Sequence, residues 1–290
     1  MHPFLRKVLL RPHRAAALAL GYQNLESLRA HPHPSVQRVA AACLRAMASR
    51  FSPEEQEPID RIEALRARAS LSQVRILVDD FGAVSPKANL THDQMYRGRV
   101  VERTVAETCH ASKGPVWTAL LFHLVRALRP VRGVELGCCV GISAAYQAEA
   151  MRLNGDGGHL WTLEGAGAVA DVAQRHFQEL GLDGITVVVG RFEDTLAGVL
   201  QRCGPIDYAF IDGHHDERAT LRYFEQILDH CQPQALLLFD DIDWSAGMKR
   251  AWRALMDDAR VPLAIDCGEI GLCLLDATLR ERIRIRAPLW

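Results

Sequence analysis

Three aspartates follow two apolar segments that are predicted to be neighbouring buried strands. Asp212 follows segment 206–211, and Asp240 and Asp241 follow segment 235–239. Carboxylates at adjacent strand ends form a hard, oxygen-rich ligand set, which suits Mg²⁺ or Mn²⁺ better than zinc. We therefore predict a divalent-metal site formed by these three aspartates. In the alternative interpretation, Asp212 caps a helix and Asp241 is only solvated.

Two histidines lie close behind the first of these aspartates. His214 lies two residues beyond Asp212. An imidazole titrates near neutral pH and can accept the proton of a substrate hydroxyl. The predicted catalytic residues are therefore His214 and Asp212, with His215 and Asp243 as second choices. The alternative is that His214 only begins a helix.

Two glycines flank a turn after the apolar segment 131–136. Gly137 and Gly141 permit a tight turn and a close approach of the backbone to a ligand. The dinucleotide fingerprint GxGxxG needs a middle glycine, and Cys139 occupies that place. The turn therefore disfavours NAD or FAD. The alternative is a glycine turn without any ligand.

Acidic residues follow the next two apolar segments. Glu164 directly follows the segment 159–163. At this distance in sequence from the glycine turn, an acid can accept hydrogen bonds from both hydroxyls of a ribose. After the next segment come Phe192, Glu193 and Asp194, in a loop that can cover a flat base while an acid accepts its exocyclic amine. The alternative for Glu164 is a helix-start residue.

Apolar segments alternate with helical patterns from residue 131 onwards. This alternation predicts an α/β fold, a doubly wound Rossmann-like sheet with helices on both faces and a helical N-terminal extension. Such sheets bind ligands at the carboxyl ends of their strands. The predicted strands are 131–136, 159–163, 185–189, 206–211, 235–239, 263–267 and 272–275, and the predicted helices are 142–153, 169–180, 195–201, 217–230 and 246–257.

The chain before this alternation divides into two further segments. Residues 1–70 are predicted to be helical, and residues 71–114 to be a connector or lid, before a ligand-binding domain over 115–290. Residues 1–50 hold eight Lys or Arg and a single acid, which predicts an intramolecular or subunit contact. The alternatives for this basic segment are an acidic peptide or a nucleic acid.

The composition sets limits on the class of protein. With 290 residues, 49% hydrophobic and 24% charged, the chain resembles a folded globular protein, which excludes disordered and fibrous classes. No apolar run reaches the ~18 residues that span a bilayer, and no signal peptide is recognisable. We expect a cytoplasmic protein without a membrane partner. The eight cysteines have no zinc spacing and are expected to be reduced thiols.

From residue 112 to residue 275 the sequence resembles class I S-adenosylmethionine-dependent methyltransferases. It is most similar to catechol-type and natural-product sugar O-methyltransferases, the methyltransferase 24-like group. The similar motifs are the methionine-binding turn at 135–143, the ribose-binding strand at 161–164, the adenine loop at 187–194, and the metal-bearing strand ends at 210–213 and 239–241.

The resemblance implies a set of contacts and a reaction. The implied cofactor is S-adenosyl-L-methionine, assisted by Mg²⁺, and the implied reaction is O-methylation of a secondary metabolite or a modified peptide. A small-molecule or peptide acceptor and a homodimer are the expected partners, and nucleic acid is not expected. The implied cofactor-binding residues are Lys113, Glu135, Gly137, Gly141, Ser143, Glu164, Phe192, Glu193 and Asp212, and the implied metal ligands are Asp212, Asp240 and Asp241.

Several alternatives stay open at this level. One is a metal-free N- or O-methyltransferase acting on RNA, and another is an inactive binding protein with the same fold. A nicotinamide dehydrogenase is disfavoured by Cys139. Segment 79–115 is long and polar, and its parts 79–82 and 96–99 are predicted to form a lid over cofactor and acceptor. The alternative for that segment is an inert connector or a subunit contact.

Overall fold

The computed structural model describes residues 12–80 and 98–289. The helices are α1 (Pro12–Arg29), α2 (Pro34–Met47), α3 (Pro53–Ala69), α4 (Val105–Cys109), α5 (Pro115–Leu128), α6 (Ile142–Asn154), α7 (Gly167–Leu180), α8 (Phe192–Cys203), α9 (Glu217–Leu228) and α10 (Ala246–Asp257). The strands are β1 (Arg75–Asp80), β2 (Arg99–Thr104), β3 (Arg132–Leu136), β4 (His159–Glu164), β5 (Ile185–Val189), β6 (Ile206–Ile211), β7 (Cys231–Phe239), β8 (Leu263–Asp266), β9 (Gly271–Asp276) and β10 (Ile283–Arg286).

Eight of these strands form one sheet, in the order β10-β8-β9-β7-β6-β3-β4-β5. Strands β3 to β7 are parallel to one another, as the alternation of strands and helices predicted. Strand β9 is antiparallel to both β7 and β8. The turn from β8 to β9 is only four residues long, which suits antiparallel pairing, because a parallel crossover needs a dozen or more. The Rossmann-like fold class is therefore confirmed.

The carboxyl ends of the parallel strands lie in one row. Leu136 at the end of β3 pairs with Leu163 of β4 on one side and with Ile211 of β6 on the other. Ile211 in turn pairs with Phe239 at the end of β7. The chain order reverses between β3 and β6, which is the place where sheets of this kind open a ligand crevice.

The N-terminal helices cover one face of this sheet together with α5 and α6. Helix α2 packs on α5, and α3 packs on α6. Their buried side chains, such as Val39 and Ile62, belong to the same hydrophobic cluster as the sheet residues. A capping box begins α3, since Ser52 Oγ accepts from the backbone N–H of Glu55 and the Glu55 carboxylate accepts from that of Ser52. The division at residues 70 and 114 stays a prediction.

The sequence missed some edge elements. Strand β10 was not predicted, since Ile283 and Ile285 alternate with arginines over only four residues. Strand β7 begins at Cys231 rather than at residue 235, because the polar Gln232, Pro233 and Gln234 do not read as a strand. None of the helices among the described residues has the length and apolarity needed to cross a membrane.

The segment predicted as a lid contributes an antiparallel hairpin of β1 and β2. Asp80 is buried at its end and pairs with Arg99 at 3.3 Å and with Arg103 at 3.2 Å. The part of the lid prediction that names Phe81, Gly82, Tyr96 and Arg97 lies outside the described residues.

Candidate active site

The turn after β3 lies directly against the end of β6. Gly137 has a φ of 102°, and a Cβ atom there would lie 1.8 Å from the carbonyl oxygen of Asp212. Only glycine tolerates both this backbone conformation and this approach. The N–H of Asp212 donates to the carbonyl of Leu136 at 2.8 Å, which extends the strand pairing by one residue. The glycine turn and Asp212 therefore meet at the point where the strand order reverses.

A cavity of about 1030 Å³ opens over this edge of the sheet. It is large enough for a cofactor and an acceptor together, since ligand pockets usually measure ~300–1,000 Å³. The predicted site residues that line it are Lys113, Gly137, Glu164, Phe192, Glu193, Asp212, His214, His215, Asp241 and Asp243.

Glu164 is held at the cavity wall by two backbone donors. One carboxylate oxygen accepts from the N–H of Cys139 at 2.8 Å, and the other from the N–H of Ala166 at 2.9 Å. Burial raises the pKa of Glu164, against the lowering effect of these hydrogen bonds. The carboxylate is thus fixed beside the glycine turn, and Glu164 lines the cavity.

An aromatic surface lies beyond Glu164. The ring of Phe192 lies so close to Gly213 that a Cβ atom there would approach it within 2.6 Å. Phe192 also meets Tyr223 edge to face, with ring centroids 6.1 Å apart. Glu193 is ion-paired with Arg222. This end of the cavity offers an aromatic face and an acid, the features that the sequence predicted for covering a flat base.

Four carboxylates and one lysine meet near the carboxyl ends of β6, β7 and β8. We call Asp212, Asp240, Asp241 and Glu269 the acid cluster. Oxygen atoms of its last three members lie within 4.8 Å of one another. Lys113 Nζ is ion-paired with Asp240, and it lies 3.1 Å from a Glu269 oxygen and 3.8 Å from an Asp241 oxygen.

Burial and mutual repulsion control the ionisation of this group. Burial raises the pKa of Asp240, and the neighbouring Asp212 raises it further. Burial lowers the pKa of Lys113, but the charges of Asp212, Asp240 and Asp241 outweigh that effect and raise it. Lys113 therefore carries a positive charge at neutral pH and is the counter-ion of the cluster.

The acid cluster has the chemistry of a metal site but not the space for an ion. Its oxygen donors are those that Mg²⁺ prefers, at ligand distances of about 2.0–2.1 Å. The ammonium of Lys113 lies among the three oxygens that are grouped most closely. With Lys113 in this place the arrangement does not fit a divalent ion. The close set consists of Asp240, Asp241 and Glu269, and Asp212, the third predicted metal ligand, is not part of it.

The two candidate histidines have different partners. His215 Nε2 lies 3.5 Å from an Asp241 oxygen and 3.9 Å from an Asp212 oxygen. His214 Nδ1 is hydrogen-bonded to the hydroxyl of Tyr223 at 2.9 Å. Both residues have positive φ angles, 68° for His214 and 35° for His215, a strained backbone of the kind found at functional sites. The second-choice histidine thus lies at the acid cluster, and the first-choice one lies on the aromatic side.

Comparison with known proteins agrees with this geometry. Residues 134–242, from β3 to just after β7, match a protein family described as "Methyltransferase domain". The chain therefore has a region, residues 134–242, that matches a methyltransferase domain. No protein with a curated description matches the sequence significantly.

Solved structures of low sequence identity share the fold of this methyltransferase domain. The O-methyltransferase TomG from Streptomyces achromogenes, involved in tomaymycin synthesis and solved with SAM, is 22% identical with a TM-score of 0.51, over 57% of this chain and 82% of its own. An O-methyltransferase from Bacillus cereus, solved with SAH, is 22% identical with a TM-score of 0.50, over 58% and 85%. A protein from Klebsiella pneumoniae described as a putative O-methyltransferase is 20% identical with a TM-score of 0.51, over 84% and 100%.

Three predicted cofactor contacts lie behind the turn of the methyltransferase domain rather than on its cavity. Glu135 is completely buried and accepts hydrogen bonds from Ser143 Oγ at 2.8 Å, from Gln147 Nε2 at 2.7 Å and from Thr162 Oγ1. Gly141 is the N-cap residue of α6 and packs on Phe177. Because the polar atoms of Glu135 and Ser143 bond to each other, these residues support the turn, and the structure does not present them to a ligand.

The buried Glu135 gives the methyltransferase domain a pH-dependent stability. Burial raises the pKa of Glu135 from its usual 4.5 to about 7, although three hydrogen bonds oppose the shift. Between these pH values the folded chain retains a proton that the unfolded chain has lost, so the free energy of unfolding falls as pH rises. In the wild-type chain the free energy of unfolding should fall by on the order of 3 kcal/mol between pH 4.5 and 7, and Glu135→Gln should abolish this fall. Urea unfolding of both proteins across this range measures the difference, and parallel pH curves would contradict it.

The sequence did not identify several residues around the cavity. Glu269 lies in the turn from β8 to β9. Its position between two predicted strands could have marked it as a candidate site residue. Trp117 and Trp244 line the cavity, and the ring of Trp244 lies 6.2 Å from that of His215. Asp79 and Asp80 at the end of β1 and Ala17 of α1 also line it.

The segment before α5 lies over the glycine turn. Cys139 Sγ donates to the carbonyl of Thr108 at 3.3 Å, and Ser112 Oγ lies 3.9 Å from the same sulfur atom. Burial raises the pKa of Cys139 to about 12, so the residue is a neutral thiol. These contacts place Ser112, and with it the neighbouring Lys113, beside the turn.

Proposed function

We propose that the chain transfers the methyl group of S-adenosylmethionine to an oxygen atom of a small-molecule or peptide acceptor. One observation carries the proposal. One cavity is lined by the fixed carboxylate of Glu164, by Phe192, by three members of the acid cluster and by His215, and most of these residues lie in the region that matches a methyltransferase domain.

The cofactor half of the proposal rests on Glu164, Phe192 and the glycine turn. The free lone pairs of Glu164 suit the two hydroxyls of a ribose. The face of Phe192 suits the adenine ring, and the backbone at Gly137 permits close contact with the methionine end. This assignment leaves the acid cluster and His215 beside the sulfonium.

The transfer step requires alignment and removal of a proton. A bond forms between the acceptor oxygen and the methyl carbon while the bond from that carbon to sulfur breaks. The hydroxyl proton passes to His215 Nε2, which Asp212 and Asp241 stabilise as it becomes positively charged. Holding both reactants in line supplies most of the remaining catalysis. Because no divalent ion fits beside Lys113, the proposed reaction has no metal-bound step.

We choose His215 over the first-choice His214 because of its surroundings. His214 is hydrogen-bonded to Tyr223 on the side assigned to adenine, whereas His215 lies at the acid cluster and beside Trp244. Trp117 and Trp244 offer flat apolar surfaces, which support a ring-bearing secondary metabolite or a modified peptide as acceptor. A homodimer and a cytoplasmic location remain predictions.

Calorimetric titration with S-adenosylmethionine tests the first half of the proposal. We expect one molecule to bind with a dissociation constant between about 1 μM and 1 mM, the usual range for enzyme substrates. Incubation with panels of phenols, sugars and peptides should then release S-adenosylhomocysteine and give products that carry one added methyl group on oxygen. No heat of binding at millimolar cofactor would reject the proposal and favour a binding protein that has lost the activity. Methylation on nitrogen would reject the choice of oxygen.

A further inference from the structure

We propose that Lys113 supplies the positive charge of the acid cluster and takes the place that the sequence assigned to a divalent metal ion. Lys113 is then a charge-balancing and positioning residue, and the site works without metal. This inference rests on the proposed function only for its kinetic consequence, because ion binding can be measured without turnover.

The ammonium lies where an ion would bind. Its contacts are with Asp240, Asp241 and Glu269, the same carboxylates whose oxygens are mutually within 4.8 Å. Asp240 is almost completely buried, and only 11% of the Lys113 side chain is exposed. A cation in so enclosed a place excludes a second one, because both would need the same oxygens and would repel each other.

The backbone also holds Lys113 in this position. Its carbonyl oxygen accepts a hydrogen bond from Arg66 Nη1 at 2.6 Å, and Arg66 is itself paired with Glu63. The next two residues are Gly114 and Pro115, the cap and first residue of α5, and proline fixes the backbone at the start of a helix. Lys113 is therefore anchored at its backbone and at its ammonium group.

The position of this charge suits the transfer step. The charge of Asp212 interacts electrostatically with that of Lys113, and His215 lies near both Asp212 and Asp241. A fixed positive charge beside the acceptor oxygen stabilises the negative charge that develops when the oxygen loses its proton. Lys113 can supply this stabilisation without the reorganisation of water that a newly bound ion requires.

Titration with Mn²⁺, followed by electron paramagnetic resonance of the free ion, tests the proposal on the full chain. We expect the wild-type protein to bind no Mn²⁺ at its acid cluster up to about 1 mM. Lys113→Met should bind the ion at least about tenfold more tightly, because it leaves buried carboxylates without a counter-ion. Lys113→Arg should behave like the wild type. Lys249→Met is the matched control, since it breaks a lysine–aspartate pair, to Asp243, that is exposed and outside the cluster.

A wild-type chain that binds Mn²⁺ tightly, with equal or weaker binding by Lys113→Met, would overturn the proposal. If Lys113→Met does not fold, as circular dichroism would show, the wild-type titration and Lys113→Arg still decide. If the chain does not bind S-adenosylmethionine, the proposed function is wrong. The Mn²⁺ titration still tests the role of Lys113, because it does not depend on the cofactor.

Turnover gives a second readout. Wild-type activity should stay within about twofold when EDTA is added, since the positive charge beside the acceptor is covalently attached. Lys113→Met should lose turnover in EDTA and recover part of it with Mg²⁺, whereas Lys113→Arg should remain indifferent to the chelator. Loss of wild-type activity in EDTA with full recovery in Mg²⁺ would show that the metal, not Lys113, supplies the charge.

Discussion

Glu164→Ala is expected to weaken the binding of S-adenosylmethionine by about a hundredfold or more. A carboxylate that accepts from both ribose hydroxyls makes two charge-assisted hydrogen bonds, each contributing about 1.5–3 kcal/mol. A factor of ten in affinity corresponds to about 1.4 kcal/mol, so loss of both hydrogen bonds should weaken cofactor binding by at least about two powers of ten. The substitution also releases the N–H groups of Cys139 and Ala166, which loosens the turn that faces the cofactor.

The comparison with Glu164→Gln separates these two effects. Glutamine retains an oxygen that can accept from the N–H of Cys139, but it lacks the charge, so its cofactor affinity should fall between those of the wild type and alanine variants. Glu217→Ala removes a glutamate that pairs with Arg250 on the outside of α9 and α10, and it should leave affinity unchanged. Calorimetry measures all four proteins. Wild-type affinity in a folded Glu164→Ala protein would show that the cofactor does not bind at this carboxylate.

The arrangement of the strand ends could be predicted because it depends on local rules. Glu164 and Asp212 each come directly after an apolar run, and parallel strands end at the same edge of a sheet. The row formed by Leu136, Leu163 and Ile211 confirms that expectation. The prediction needed only the order of the elements and the position of each run.

The composition of the acid cluster could not be predicted in the same way. Glu269 follows β8, which is separated from β6 by β9 and β7, and strand order at the far side of the sheet is not encoded in periodicity. Lys113 was predicted as a cofactor contact, but its ammonium reaches the cluster because Arg66 and the start of α5 fix its backbone. Both facts depend on long-range packing.

The choice between the two histidines shows the same limit on a smaller scale. Sequence spacing from Asp212 favoured His214, but spacing does not show which partners each of the two adjacent side chains contacts. In the structure His214 is hydrogen-bonded to the hydroxyl of Tyr223 on α9, whereas His215 lies 3.5 Å from an Asp241 oxygen. A two-residue spacing identifies a loop, whereas the direction of each side chain follows from the packing of the next helix.

His215→Ala is expected to lower kcat by about a hundred- to ten-thousandfold, the usual contribution of a positioned general base. The affinity for S-adenosylmethionine should stay close to the wild-type value, because His215 contacts the acid cluster and Trp244 rather than the wall assigned to adenine. Single-turnover measurements at saturating cofactor, with an acceptor found by the panel, give the rate of the transfer step separately from binding.

The neighbouring His214→Ala variant is the matched control for this prediction. It removes the same side chain one residue earlier, together with the hydrogen bond to Tyr223, and it should alter cofactor affinity more than the rate of transfer. If His214 is the base, as spacing alone suggested, the order reverses, with His214→Ala losing the transfer rate and His215→Ala retaining it. If both folded variants keep the wild-type rate, neither imidazole takes the proton, and the carboxylates beside Lys113 become the groups to replace next. The pair of rates thus distinguishes a base at the acid cluster from one on the aromatic side, in a loop where the two residues are adjacent.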